Sequence, residues 1–136
     1  MILKEFIKET QKNQMISTLL KYYKVESVKW RHKNIKDHAH YNVDSGTLEL
    51  SNRYKNIKDS QIKNFLMTMM HEIKHAMDSK KHGWKSFKQM YETEIELQIQ
   101  AKKDIYKDNK YEIEAIKFSE KNWKRWYTQF KKEGLT

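Results

Sequence analysis

His71, Glu72 and His75 stand in the order His-Glu-x-x-His within the stretch FLMTMMHEIKHAMD. Two imidazoles four residues apart on a helix project from one face and can hold the same metal ion, while the glutamate after the first lies beside that ion as a base for water. Five residues can also fall into this pattern by chance, so the surrounding sequence has to carry the argument. A catalytic zinc takes three protein ligands and keeps one position for water. The chain has no cysteine, so the third donor must be His, Asp or Glu.

A helical wheel at about 100° per residue separates the faces of the helix bearing the motif. Ile62, Phe65, Leu66, Met69, Met70, Ile73, Ala76 and Met77 share one arc, which marks both methionines as core filling. His71, His75, Asp78 and His82 share another, so the histidines face a cleft or water and not the core. Three carboxylates qualify as third ligand. Glu112 shares an arc with Ile113, Ile116, Trp123, Trp126, Tyr127 and Phe130, and an inward carboxylate needs compensation, from a metal or from a helix start and a lysine. Glu94 lies with Phe87, Met90, Tyr91, Leu97 and Ala101, 19 residues beyond His75, and remains an alternative; Glu114 falls among lysines.

The elements that would position these residues follow from periodicity. Residues 2–23 carry a helical stripe of Ile2, Leu3, Phe6, Ile7, Met15, Ile16, Leu19, Leu20 and Tyr23 with a polar gap in the middle. From Val25 to Tyr54 the pattern shortens to strands, VESVKW, HAHYNV and TLELSNRY, with Asp44-Ser45-Gly46 as a hairpin turn, which predicts a small, mostly antiparallel sheet. Asp59 or Ser60 is placed to cap the motif helix, which stops near His82-Gly83. A helix over roughly 86–106 and another over roughly 111–132 complete an α+β chain, read as one domain spanning 1–136.

Composition narrows the function classes. The net charge of +10 comes from 28 basic residues of which only three, Arg31, Arg53 and Arg125, are arginine, and the lysines are spread along the chain. Base-reading proteins rely on bidentate arginine contacts, so nucleic acid is not the favoured partner. No apolar run approaches the roughly 20 residues of a membrane span, and the first residues lack the pattern of a secretory signal, so a cytoplasmic protein is expected. His38 and His40, with His32, could form a second metal site but read better as surface histidines. Trp123 and Trp126 could stack on bases but read better as core.

The order of these features resembles the compact gluzincins, the minigluzincin type of metallopeptidase domain, related to phage-encoded peptidases and to the ImmA/IrrE group. The resemblance covers roughly residues 45–120 and rests on HExxH followed by NKYEIEAIKF, which is similar to the pattern N-P-x-E-x-E/D-A-x-x-F. Asn109, Glu112, Glu114, Ala115 and Phe118 match it, and Lys110 stands where the pattern has proline. The resemblance implies a zincin-like fold, one Zn²⁺ per chain held by His71, His75 and Glu112, Glu72 as general base, and a peptide or protein substrate. Tyr91, Tyr106, Tyr111 and His82 are candidate donors to the transition state, Asp78 could orient His75, and the strand TLELS is the expected sheet edge for a substrate strand.

Overall fold

The computed structural model describes residues 6–136. Ile2 and Leu3 of the expected first helix lie outside these residues. Phe6–Ile7 is a strand, β1, and α1 runs from Glu9 to Tyr22. Strands β2 (Lys29–Lys33), β3 (Ala39–Asn42) and β4 (Thr47–Ser51) follow, then a short β5 (Ile57–Lys58). Three helices end the chain: α2 (Ile62–His82), α3 (Trp84–Gln100) and α4 (Lys110–Lys132). The result is an α+β arrangement of four helices and two small sheets, in which no helix among the described residues is long and apolar enough to cross a membrane.

β1 pairs antiparallel with β5, Phe6 opposite Lys58 and Ile7 opposite Ile57, so the predicted start of the helix is a strand instead. The other sheet has the order β2-β4-β3. β3 and β4 form the expected hairpin. Asn42 Oδ1 accepts from the backbone N–H of Asp44 at 3.0 Å and of Ser45 at 3.2 Å, and Gly46 takes φ +66°, a conformation that favours glycine. β2, however, lies parallel to β4, and the sheet is mixed where a mostly antiparallel one was expected. TLELS is β4 and is paired on both sides; the strand expected at the edge is the central one. Its burial, with Leu48 and Leu50 both fully inside, agrees with that position.

The core joins Met15, Ile16 and Leu19 of α1, Leu48 and Leu50 of β4, Phe65, Leu66, Met69, Met70 and Ile73 of α2, and Phe130 of α4, all with no exposed surface. The polar gap in α1 is Lys12, almost wholly buried. Its ammonium contacts His32 Nε2 at 2.8 Å and donates to the carbonyls of Tyr54 at 3.3 Å and Lys55 at 3.4 Å. Burial lowers its pKa, with Glu9 opposing. α4 packs along α2, and Trp126, buried, donates Nε1–H to Tyr23 Oη at 2.9 Å, which makes it a core residue.

Sheet register places Glu49 between Arg31 on β2 and His40 on β3. Its carboxylate is fully buried, accepts from Arg31 Nε at 2.9 Å, and lies 3.4 Å from Lys33 Nζ. Burial works to raise the pKa, but the hydrogen bonds from Arg31 and His40 and the charge of Lys33 outweigh it and hold Glu49 at about 2 against an ordinary 4.5. A depressed folded pKa stabilises the fold above the unfolded value, so this contribution is complete above about pH 4.5 and is lost as pH falls toward 2. After allowance for partners that are half in water, about 2 kcal/mol should disappear in that window. Urea titrations from pH 6 to pH 2.5 should show the loss in the native chain and a flatter profile in Glu49→Gln.

Candidate metal centre

α2 starts after a 3₁₀ turn at Asp59–Gln61 that displaces the expected cap by one or two residues, and it ends as predicted at His82. Gly83 follows with φ +82° and ψ 143°, positive in φ but not left-handed helical, and leads straight into α3. The sharp junction folds α3 back beside the histidine face of α2, where Phe87 and Tyr91 approach His75 with ring centroids 6.5 and 6.3 Å away. α3 ends at Gln100, six residues short of the predicted 106. Lys102 takes φ +56°, and Asp104 Oδ1 then accepts from the backbone N–H of Tyr106 and Lys107 in a side-chain-capped turn.

α4 begins at Lys110 with Asn109 as N-cap, whose Oδ1 accepts from the N–H of Tyr111 at 2.9 Å and of Glu112 at 3.4 Å. Glu112 therefore sits in the first turn, where the helix dipole favours a carboxylate. Among the described residues its ion pairs are with histidines and not with lysine. Glu112 Oε1 lies 2.8 Å from His71 Nε2 and 2.9 Å from His75 Nε2, and Tyr91 Oη donates to Oε2. Among the described residues, His71, His75 and Glu112 form a group whose ligand atoms all lie within 4.8 Å of one another and which could hold a metal ion. Their side chains retain 14, 9 and 6% exposure, so the group is sheltered yet reachable.

The electrostatics follow from that packing. Burial alone would raise the Glu112 carboxyl, but hydrogen bonds from His71, His75 and Tyr91 hold it far below the usual range. Burial would lower His75, and the bond to Glu112 with the charge of Glu72 raises it instead. Burial pushes Glu72 up to about 6, against the pull of the two histidines. Burial and the bond to Glu112 raise Tyr91, and burial with the charge of Glu112 pushes Tyr106 up to about 12.

A cavity of about 840 Å³ opens over the group, lined by His71, Glu72, His75, Tyr91, Tyr106 and Glu112 from the helices and the 101–109 turn. The opposite wall includes Ala39, His40 and Tyr41 of β3, which is an edge strand. Glu72 is buried and its Oε2 has no hydrogen-bond partner among the described residues. Two imidazole nitrogens, one carboxylate oxygen and an uncommitted buried carboxylate beside them fit a zinc-type site by donor chemistry. No family model, curated protein or solved structure matches the chain.

That geometry sorts the other candidates. Glu94 is buried but belongs elsewhere: Oε2 accepts from the backbone N–H of Lys110 at 3.0 Å and from Gln98 Nε2 at 3.3 Å. Glu114 is exposed. Tyr91 and Tyr106 line the cavity, the latter stacked over His71 with centroids 6.5 Å apart. Tyr111 is buried between Phe87 and Tyr91, and His82 is exposed at the helix end. Asp78 is buried and pairs with Lys74 at 2.7 Å; among the described residues its Oδ2 and His75 Nδ1 each have no hydrogen-bond partner, so it does not orient that ring by a hydrogen bond. His32, His38 and His40 make three separate sets of contacts, to Lys12, to Tyr54 and Arg53, and to Glu49.

The bond to Glu94 gives Lys110 a role the sequence did not reveal. Asn109 has φ −73° and ψ 124°, the extended backbone a following proline prefers, so the chain conformation would accept proline at 110. What proline lacks is the N–H that Glu94 receives. Lys110→Pro should therefore destabilise the fold by about 1–2 kcal/mol by removing one of the two donors to a buried carboxylate, read as a lower urea midpoint. In Glu94→Gln, which has already lost that carboxylate, the same change should cost less.

Proposed function

We propose that the chain is a zinc-dependent metallopeptidase of the gluzincin type, cutting peptide bonds in a peptide or protein substrate. The observation that carries this reading is the convergence of His71 Nε2 and His75 Nε2 on one oxygen of Glu112, in a cavity that the buried residue Glu72 also lines. Glu112 comes from a helix 37 and 41 residues away in sequence, so a chance HExxH would not require it there.

His71, His75 and Glu112 would hold the ion. Zinc bound there supplies Lewis acidity, acidifying water and polarising a carbonyl. The Glu72 carboxylate would take the proton from the attacking water and return it to the departing amine nitrogen. Tyr91 fixes Glu112 by binding Oε2, which leaves Oε1 for the imidazole side. Tyr106 lines the cavity and would donate to an oxyanion. β3 offers a sheet edge in that wall along which an extended peptide can add.

A nucleic-acid reading loses support because Trp126, one of the two tryptophans of the last helix that could stack on bases, is buried and hydrogen-bonded. The test of the peptidase reading is digestion of a peptide library by zinc-loaded protein. Cleavage that stops with a chelator and returns with zinc is expected, and a loaded chain that cuts nothing would overturn it.

A further inference from the structure

Lys36, Asp37, His38 and Arg53 also line the cavity, and no step of the peptidase reading uses them. Arg53 is exposed, yet its guanidinium is fixed. Nε donates to Ser51 Oγ at 3.2 Å, Nη2 to the carbonyl of Lys36 at 2.7 Å, and Nη1 to His38 Nε2 at 3.1 Å. A guanidinium only donates, so His38 must accept through Nε2 and carry its proton on Nδ1, toward Tyr54 Oη. Tyr54 Oη in turn meets Thr68 Oγ1 at 3.4 Å, one turn before His71 on α2. The guanidinium is thus tied through His38 and Tyr54 to the helix that bears the metal group. Three of its five N–H groups are used, and one on each terminal nitrogen is left.

We propose that Arg53 is a recognition site for a carboxylate of the peptide substrate, gripped by the two remaining N–H groups of its terminal nitrogens. The proposal rests on the peptidase reading for its ligand class. A planar guanidinium held in place loses little entropy on binding, and a carboxylate matches its two parallel donors. Lys36 adds a positive charge at the same wall and Asp37 a negative one, so with neutral His38 the wall remains net positive. The carboxylate can be the C-terminus of a peptide or an Asp or Glu side chain within it.

Zinc-loaded Glu72→Gln protein should be incubated with four pools of peptides, degenerate at the other positions over residues other than Asp and Glu, having either Asp/Glu or Asn/Gln at the central position and either a free or an amidated C-terminus. Retained peptides are read by mass spectrometry. Enrichment of about tenfold is expected for the pools that carry the recognised carboxylate, and comparison of the four identifies its source. Adding Arg53→Ala or Arg53→Gln should abolish the enrichment while leaving retention of the carboxylate-free pool unchanged, which a merely unfolded loop would not do. Equal retention of all pools, retention of none, or enrichment that survives Arg53→Gln would overturn the proposal. The native chain separates this from the underlying reading: cleavage without carboxylate preference sinks only the Arg53 assignment, and enrichment without cleavage sinks only the peptidase.

Discussion

Glu72→Gln should retain one zinc per chain and lose peptide hydrolysis by about 10²–10⁴-fold, the usual contribution of a positioned general base. The substitution is nearly isosteric, and Glu72 does not belong to the ligand group, so neither packing nor metal content should change. Its Oε2 has no hydrogen-bond partner among the described residues, so no hydrogen bond with them is lost at that oxygen. Burial holds this carboxyl near 6 in the chain alone, and the amide removes that buried acid, so the variant should unfold no more easily than the native protein. Activity and zinc are read on the same preparation, by peptide hydrolysis and elemental analysis. Retained turnover would remove Glu72 from the mechanism.

Glu112→Ala should act in the opposite way, on the metal first. Removing the one carboxylate of the ligand group should weaken zinc binding by on the order of 100-fold or more, since loss of a mere supporting partner already costs about 10–100-fold. It also strips the acceptor from Tyr91 and the partner from both imidazoles, for a loss of about 1–3 kcal/mol in the metal-free fold. Competition with a chelator of known affinity measures the first effect and urea unfolding the second. Glu94→Gln is the matched control: it should lower stability through the start of α4 and leave zinc affinity within a few-fold, because its carboxylate is engaged by Lys110 and Gln98. If the two variants exchanged these phenotypes, Glu94 would be the ligand.

Much of the candidate site was legible because local patterns positioned it. The wheel of α2 turned the histidines away from the core, and the arc of α4 turned Glu112 inward, both of which depend only on helical period. The Asn42–Gly46 turn was legible for the same kind of reason, since its glycine and side-chain acceptors act within a few residues. The features that escaped are decided by distant partners. Pairing of β2 with β4 in parallel needs residues 18 apart in the chain, and alternation alone carries no direction. Lys12 looked like a gap in a stripe, and only the carbonyls of Tyr54 and Lys55, more than 40 residues on, make its burial tolerable. Glu94 showed as a carboxylate in an apolar arc, the right signal of a buried acid, but its partner is a backbone N–H that side-chain patterns do not display. α3 stops short of the length its hydrophobic period suggests, and Asp104 caps the turn that follows, an effect of side-chain geometry and not of period.

The central claim is that His71, His75 and Glu112 hold one metal ion. Elemental analysis of the purified chain, combined with anomalous scattering at the zinc edge from a crystal, tests it most directly. The account predicts about one zinc per chain, a single peak between His71 Nε2, His75 Nε2 and a Glu112 oxygen, and no metal in His71→Ala/His75→Ala. A zinc-loaded chain with its peak elsewhere, or a folded chain that takes up no metal at all, would contradict it.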